Sequence, residues 1–169
     1  MDIMDAIFDR RSIRKFTDEP VTDHEVETLL RAAMAAPSAG NQQPWQFVVL
    51  RGRQRLEQVA GMHPHVHMAA KAALGILVCG DTRVEKYAGY WVIDCAAAVQ
   101  NLLLAAHGLG LGAVWTGIHP MQERVDAFAK FFGVPAGVIP HSFIPLGRPA
   151  EARPREDRFR PERVHQESF

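Results

Sequence analysis

Residues 91–108 read WVIDCAAAVQNLLLAAHG, and they constrain the fold more than any other stretch. No proline breaks the run, and glycines at 108 and 110 mark its end. Apolar residues recur on nearly every side of the helix this predicts. That is the pattern of a helix buried in a core, not of one lying on a surface. Asp94, Gln100, Asn101 and His107 interrupt it, so a membrane span is not expected. Other elements must cover it.

Those elements can be read on either side, and 169 residues point to a single domain, 1–169. Residues 2–9 place Ile3, Ala6 and Ile7 on one face of a short helix. Thr22 or Asp23 caps a second helix, with Val26, Leu29, Leu30 and Ala33 as its stripe and Pro37 as its stop. PWQFVVL, 44–50, reads as a strand, and 53–61 as a short helix. ALGILVCG, 73–80, is a buried strand, and LGAVWTGI, 111–118, is the next. A helix over 121–132 follows, with Met121, Val125, Phe128 and Phe132 in register. GVIPHSFIPLG, 137–147, carries two prolines and reads as an edge or irregular strand. Residues 148–169 are charged and proline-rich, an extended tail. About five helices and four strands with helical crossovers predict an α+β fold, a mixed sheet flanked by helices.

Charge narrows the partners. Lys+Arg and Asp+Glu balance at 19 each, without the basic excess of a nucleic-acid binder. Cys79 and Cys95 sit in apolar runs and read as small core side chains. Two cysteines make neither a disulfide framework nor a zinc site. The acidic start MDIMDAIFD is unlike a signal peptide, and a cytoplasmic setting is expected.

Against that balance, RRSIRKF (10–16) concentrates four cations. One reading is a solvated helix end, where cations suit the helix dipole. The other is a phosphate clamp, because arginine binds phosphate through paired hydrogen bonds and serine adds a hydroxyl. APSAGNQQPWQF (36–47) is either a plain loop or a polar edge for a heterocycle. The glycines of GLGLGAVWTG (108–117) follow a helix and precede a strand, the reverse of a dinucleotide fingerprint. His63, His65 and His67 alternate, but no cysteine or carboxylate stands beside them to complete a metal set. No G-x-S-x-G is present, so hydrolase chemistry has no support.

RRSIRKF, APSAGNQQPWQF, DCAAAVQNLLLAAHGLGLGAVWTG and PLGRPAEARPREDRFRPERVH, in this order, resemble the FMN-dependent nitroreductase family in its short form. The resemblance implies a nitroreductase-like fold with a mostly antiparallel sheet of four or five strands. It implies a homodimer with the tail, 148–169, extended onto the partner. Arg10, Arg11, Ser12 and Arg14 would grip the FMN phosphate and ribityl chain. Pro37, Ser38, Asn41 and Gln42 would reach the flavin from the other subunit. Trp115, Thr116 and Gly117 would lie beside the isoalloxazine, with a backbone N–H near N5. Arg158, or Arg148, would return to the phosphate. The implied activity is ping-pong hydride transfer from NADH or NADPH to a nitroaromatic or quinone-like acceptor, with no side-chain acid or base and no metal. The alternatives are a flavin-binding protein without turnover and a flavin enzyme independent of NAD(P)H. The chain departs from the family at Glu156, where a lysine is common, and at Ala39, where a serine is common. It also departs in its short 81–91 connection.

Overall fold

The computed structural model describes residues 1–169. Its helices are α1 (Ile3–Asp9), α2 (Asp23–Met34), α3 (Arg53–Ala60), α4 (Trp91–Gly108) and α5 (Gln122–Phe132). Its strands are β1 (Trp45–Leu50), β2 (Leu74–Asp81), β3 (Gly112–Ala113), β4 (Thr116–Gly117) and β5 (Val138–Gly147). The sheet order is β1-β2-β5-β3, with β4 also on β5, and every strand pair is antiparallel. The one parallel contact is an isolated bridge between Ser12 and Ala113.

Two-residue alternation along the central strands divides the core between the two faces of the sheet. Leu74, Ile76, Val78, Ile144 and Leu146 pack with α2 and α4. Leu77, Cys79 and Phe143 pack with α3, α5 and the turn that carries Val66 and Ala69. The start of α2 is a capping box: Thr22 Oγ1 accepts from Glu25 N, and Glu25 Oε2 accepts from Thr22 N. Gly133, in the left-handed region at φ 65°, closes α5. No helix is long and apolar enough to cross a membrane.

Three expectations change. β5 is central, not an edge, because β2 lies on one side of it and β3 with β4 on the other. Its prolines are tolerated where the ladder is already interrupted. Pro140 stands next to the register shift that bulges His141, and Pro145 lies opposite the gap between β3 and β4. That gap also divides the single strand expected over 111–118 into two. Finally, α4 is covered along one stripe, from Trp91 and Asp94 to Leu103 and Ala106. Ile93, on its other side, is 62% exposed. α1 likewise buries none of its residues within the subunit.

Gly75 tests the packing between strands. A Cβ built there would overlap the ring of Phe143, which is fully buried. Gly75→Ala is expected to cost about 1–3 kcal/mol of stability, the usual penalty for overpacking, measured by urea denaturation. A neutral result would show that the Phe143 ring can shift.

Candidate active site

The basic segment is held along the sheet's edge on both sides. Ile13 N donates to Ala113 O at 3.0 Å, beside the Ser12–Ala113 bridge. On the other side lies the start of the tail. Thr17 N donates to Arg148 O, Ala150 N to Lys15 O, and Arg14 N to Glu151 Oε1 at 2.6 Å. This framing separates the four predicted side chains. Arg10 and Arg11 open onto one cavity, Arg14 onto another, and Ser12 sits at the bridge between them.

The first cavity, about 600 Å³, joins Arg10 and Arg11 to Arg155, Glu156 and Arg158 of the tail, over Ile7 and Phe8 of α1. Arg11 Nε donates to Pro154 O, and its Nη1 to Phe8 O and Arg10 O. Arg11 Nη2 and Arg10 Nε are buried and have no hydrogen-bond partner in the chain. Burial, then the neighbouring Arg158 and Arg11 charges, holds the Arg10 guanidinium below its ordinary value. Two arginines that line one cavity, each with a buried N–H that has no partner in the chain, fit an oxyanion with several acceptor atoms.

The second cavity, about 290 Å³, places Arg14, His65, His67 and Arg124 around Trp115, Thr116 and Gly117. No carboxylate lines it. Thr116 Oγ1 donates to Phe143 O at 2.6 Å, fixing the strand end to β5, and Arg124 Nη1 donates to Gly117 O at 3.0 Å. Trp115 is 37% exposed and tilts over His141, with ring centroids 5.6 Å apart. The site is therefore cationic at both ends, with an aromatic side chain and exposed backbone at the second.

Pro37, Ser38, Asn41 and Gln42 lie elsewhere. Their loop leads into β1, at the opposite edge of the sheet from β3, about 14 Å away by three inter-strand spacings. Gly40, Asn41 and Gln43 all have positive φ, 54°, 53° and 46°. Strained turns of this kind persist only where the surroundings hold them. Here the support is Asp94 of α4, buried, which accepts from Ala39 N at 3.0 Å and Gln42 Nε2 at 2.7 Å. Gln42 Oε1 accepts in turn from Lys86 N and Tyr87 N. The Gln42 amide is thus committed inside its own subunit as a strut, while Pro37 and Asn41 are exposed. Arg148 is also committed away from the cavity that holds Arg10. It pairs with Glu25 at 2.8 Å and Glu19 at 3.3 Å, tying the tail's start to the cap of α2. Arg158, by contrast, does reach Arg10.

With this geometry in view, comparison with known proteins is specific. The nitroreductase family model matches residues 7–78 and 67–148. The chain belongs to the nitroreductase family. A protein of Methanothermobacter thermautotrophicus, provisionally named NADH dehydrogenase/NAD(P)H nitroreductase, is 48% identical over 100% of this chain and 88% of its own length. A crystal structure from Parabacteroides distasonis with the same provisional name superposes with TM-score 0.95 at 35% identity, covering 99% of this chain and 98% of that one. A Desulfovibrio desulfuricans structure, described as a nitroreductase in complex with FMN, superposes with TM-score 0.85 at 35% identity over 100% and 98% of the two chains.

In this nitroreductase-family chain, sequence reasoning missed His65, His67, Arg124 and His141. The first three come from the turn after α3 and the first turn of α5, so only the tertiary fold brings them to Gly117. His141 is the bulged residue of β5, 5% exposed, with Nδ1 3.1 Å from Ser142 Oγ. Burial, then the His119 charge, holds its imidazole down to about 4. In the unfolded chain the same ring titrates near pH ~6.5, so below that pH the unfolded state binds the extra proton. The stability from His141 is complete above pH ~6.5 and falls toward pH 4, by up to about 1.4 kcal/mol per pH unit. Buried His63, also held down to about 4 by burial and then the Arg124 charge, adds a second such slope, so urea denaturation between pH 7 and 5 is expected to show their sum and His141→Asn to reduce it. An unchanged slope in the variant would mean that His141 is open to water.

Proposed function

We propose that two copies of this chain form a two-fold dimer that binds two FMN molecules, each shared between the subunits. Arg10, Arg11 and Arg158 hold the phosphate. Ser12 and Arg14 follow the ribityl chain, and Trp115, Thr116 and Gly117 face the isoalloxazine. Pro37, Ser38 and Asn41 of the partner subunit close the ring's other side. The observation that carries this reading is that Arg10 and Arg11, each with a buried N–H lacking a partner in the chain, line one cavity with Arg158.

The sharing has its own support. The two motifs of one subunit stand at opposite edges of its sheet, which favours a flavin that takes one motif from each subunit. The subunit also leaves apolar surface uncovered: Ile3 (71% exposed), Ile7 and Phe8 of α1, and Ile93 of α4. A symmetric interface made by α1, α4 and the tail covers these faces and brings the partner's loop to the site. Residues 152–169 are exposed throughout, and what holds them in their own subunit is contact with α1 and the neighbouring basic segment.

As a nitroreductase-family member the chain is an FMN-dependent oxidoreductase that draws on NADH or NADPH. Bound FMN supplies hydride acceptance from NAD(P)H and its delivery to an oxidised acceptor, a nitroaromatic or quinone. The chain's residues hold and tune rather than react. Arg14 and Arg124 place positive charge at the ring end of the site, which favours electron-rich forms of whatever binds there. The backbone of Trp115–Gly117, fixed by Thr116 and Arg124, offers N–H groups without a competing side-chain acid. Nicotinamide and acceptor would dock in turn on the exposed face of the bound flavin, a ping-pong order. Two buried thiols, with Cys79 pushed up to about 12 by burial, suit a reducing cytoplasm and take no part.

Purified protein is expected to show a flavin absorbance band that bleaches on anaerobic addition of NADH or NADPH and recovers with a quinone or nitroarene. A flavin band that neither nucleotide bleaches would instead mark a flavin-binding protein without this turnover. The shared site predicts complementation. Arg10→Ala and Asn41→Ala homodimers are each expected to lose FMN affinity, by about 1.5–3 kcal/mol for the arginine. Mixed dimers of the two are expected to regain one intact site. Mixtures that bind no better than either parent would place the whole site within one subunit.

A further inference from the structure

The phosphate cavity contains its own anions. Glu156 and Asp157 line it together with Arg10, Arg11, Arg155 and Arg158; Asp157 Oδ1 accepts from Phe159 N at 3.0 Å, whereas Glu156 is turned to an arginine. Glu156 Oε2 accepts from Arg158 Nε at 3.0 Å and from Arg158 Nη2 at 2.8 Å, and Arg158 is its only hydrogen-bond partner. This is the same edge of the guanidinium that a phosphate takes. The Arg158 hydrogen bonds, then its charge, hold the Glu156 carboxyl below its usual range, so it is ionised at neutral pH.

The other arginines cannot make up for this. Arg11 has three of its donor contacts on backbone carbonyls, leaving Nη2 alone. Arg155 lies 3.6 Å from Asp9 and stacks over Phe8 at 4.6 Å. An arriving phosphate therefore depends on Arg10, Arg11 Nη2 and whatever it takes from Arg158. If Arg158 keeps Glu156, the phosphate loses a bidentate partner. If Arg158 turns to the phosphate, an ionised carboxylate is left beside a dianion. Glu156 opposes the phosphate either way, though water screens the exposed pair, whose side chains are 67% and 59% accessible.

Resting on the FMN reading above, we propose that Glu156 competes with the flavin phosphate for Arg158, so that FMN is held as an exchangeable ligand whose affinity is set by the charge at position 156. The flavin then equilibrates with free FMN instead of staying as a permanent prosthetic group.

The test is a fluorescence titration of apoprotein with FMN, and with riboflavin, which lacks the phosphate. Wild type, Glu156→Gln, Glu156→Lys and Arg10→Ala are compared, with circular dichroism to check folding. Glu156→Gln is expected to tighten FMN several-fold and Glu156→Lys roughly tenfold, in line with one exposed charge-assisted contact. Riboflavin affinity is expected to stay constant, and the gain to shrink at high salt. If both variants bind FMN no more tightly than wild type, the proposal is overturned. It is also overturned if riboflavin tightens equally, because the effect then does not act through the phosphate. Arg10→Ala separates the two levels of the argument. Lost FMN affinity there, with neutral variants at 156, leaves the clamp standing and removes the competitor. No loss there overturns the clamp itself.

Discussion

Ile13 lies on the backbone of Gly112 so closely that a Cβ at that position would come within 2.6 Å of Ile13 Cγ2. With the bond from Ile13 N to Ala113 O, this contact lays a highly charged segment against the sheet. Arg10, Arg11, Arg14 and Lys15 repel one another, and left alone the segment would spread into water. Ile13 and Phe16 are its only large apolar anchors. Phe16 packs over Gly147, again where the absence of a side chain permits it. Two glycines at strand ends thus decide where the cations go. Once the segment is pinned, Arg10 and Arg11 must point toward α1 and the tail, and Arg14 toward Trp115–Gly117. Both cavities of the site follow from that one approach.

A second rigid element works on the loop at 37–43. Asn41 and Gln43, non-glycine residues at positive φ, cost backbone energy, and a surface loop would ordinarily relax out of them. Asp94 and Gln42 prevent it by exchanging hydrogen bonds out of contact with water. In the sequence Asp94 looked like an interruption of an apolar helix. In the structure it is the reason the loop has one shape, and the exposed Pro37 and Asn41 are presented in a set position.

What could be read from the sequence was what depends on neighbours along the chain. Periodicity and caps identified all five helices, and apolar runs identified β1 and β2. The errors arose where distant partners decide. Two prolines suggested an edge or irregular strand for 137–147; it is irregular, bulged at His141, but that bulge and the break opposite Pro145 let it sit in the middle of the sheet. The all-round apolar pattern of α4 was read as burial within one core, but one side of it is open in the subunit. For the candidate site, motif resemblance pointed to Arg10, Arg11 and Arg158, which line one cavity. It also suggested Arg148 and Gln42, which have structural duties that no pattern could reveal. His65 and His67 stood out only as an incomplete metal pattern and Arg124 not at all; the packing of α5 and the turn after α3 against β5 brings them to one cavity.

The placement of the two recognition motifs at opposite edges of one sheet has a consequence for thermodynamics as well as for geometry. If half of each site is contributed by another molecule, as proposed above, cofactor binding and self-association are linked equilibria. Flavin then strengthens the dimer, and the dimer strengthens flavin binding. The apparent FMN affinity is then a property of protein concentration, not a constant of the chain. In a dilute solution such a protein would shed its colour before it unfolds, and a cell would control its holoenzyme fraction through how much of the polypeptide it makes.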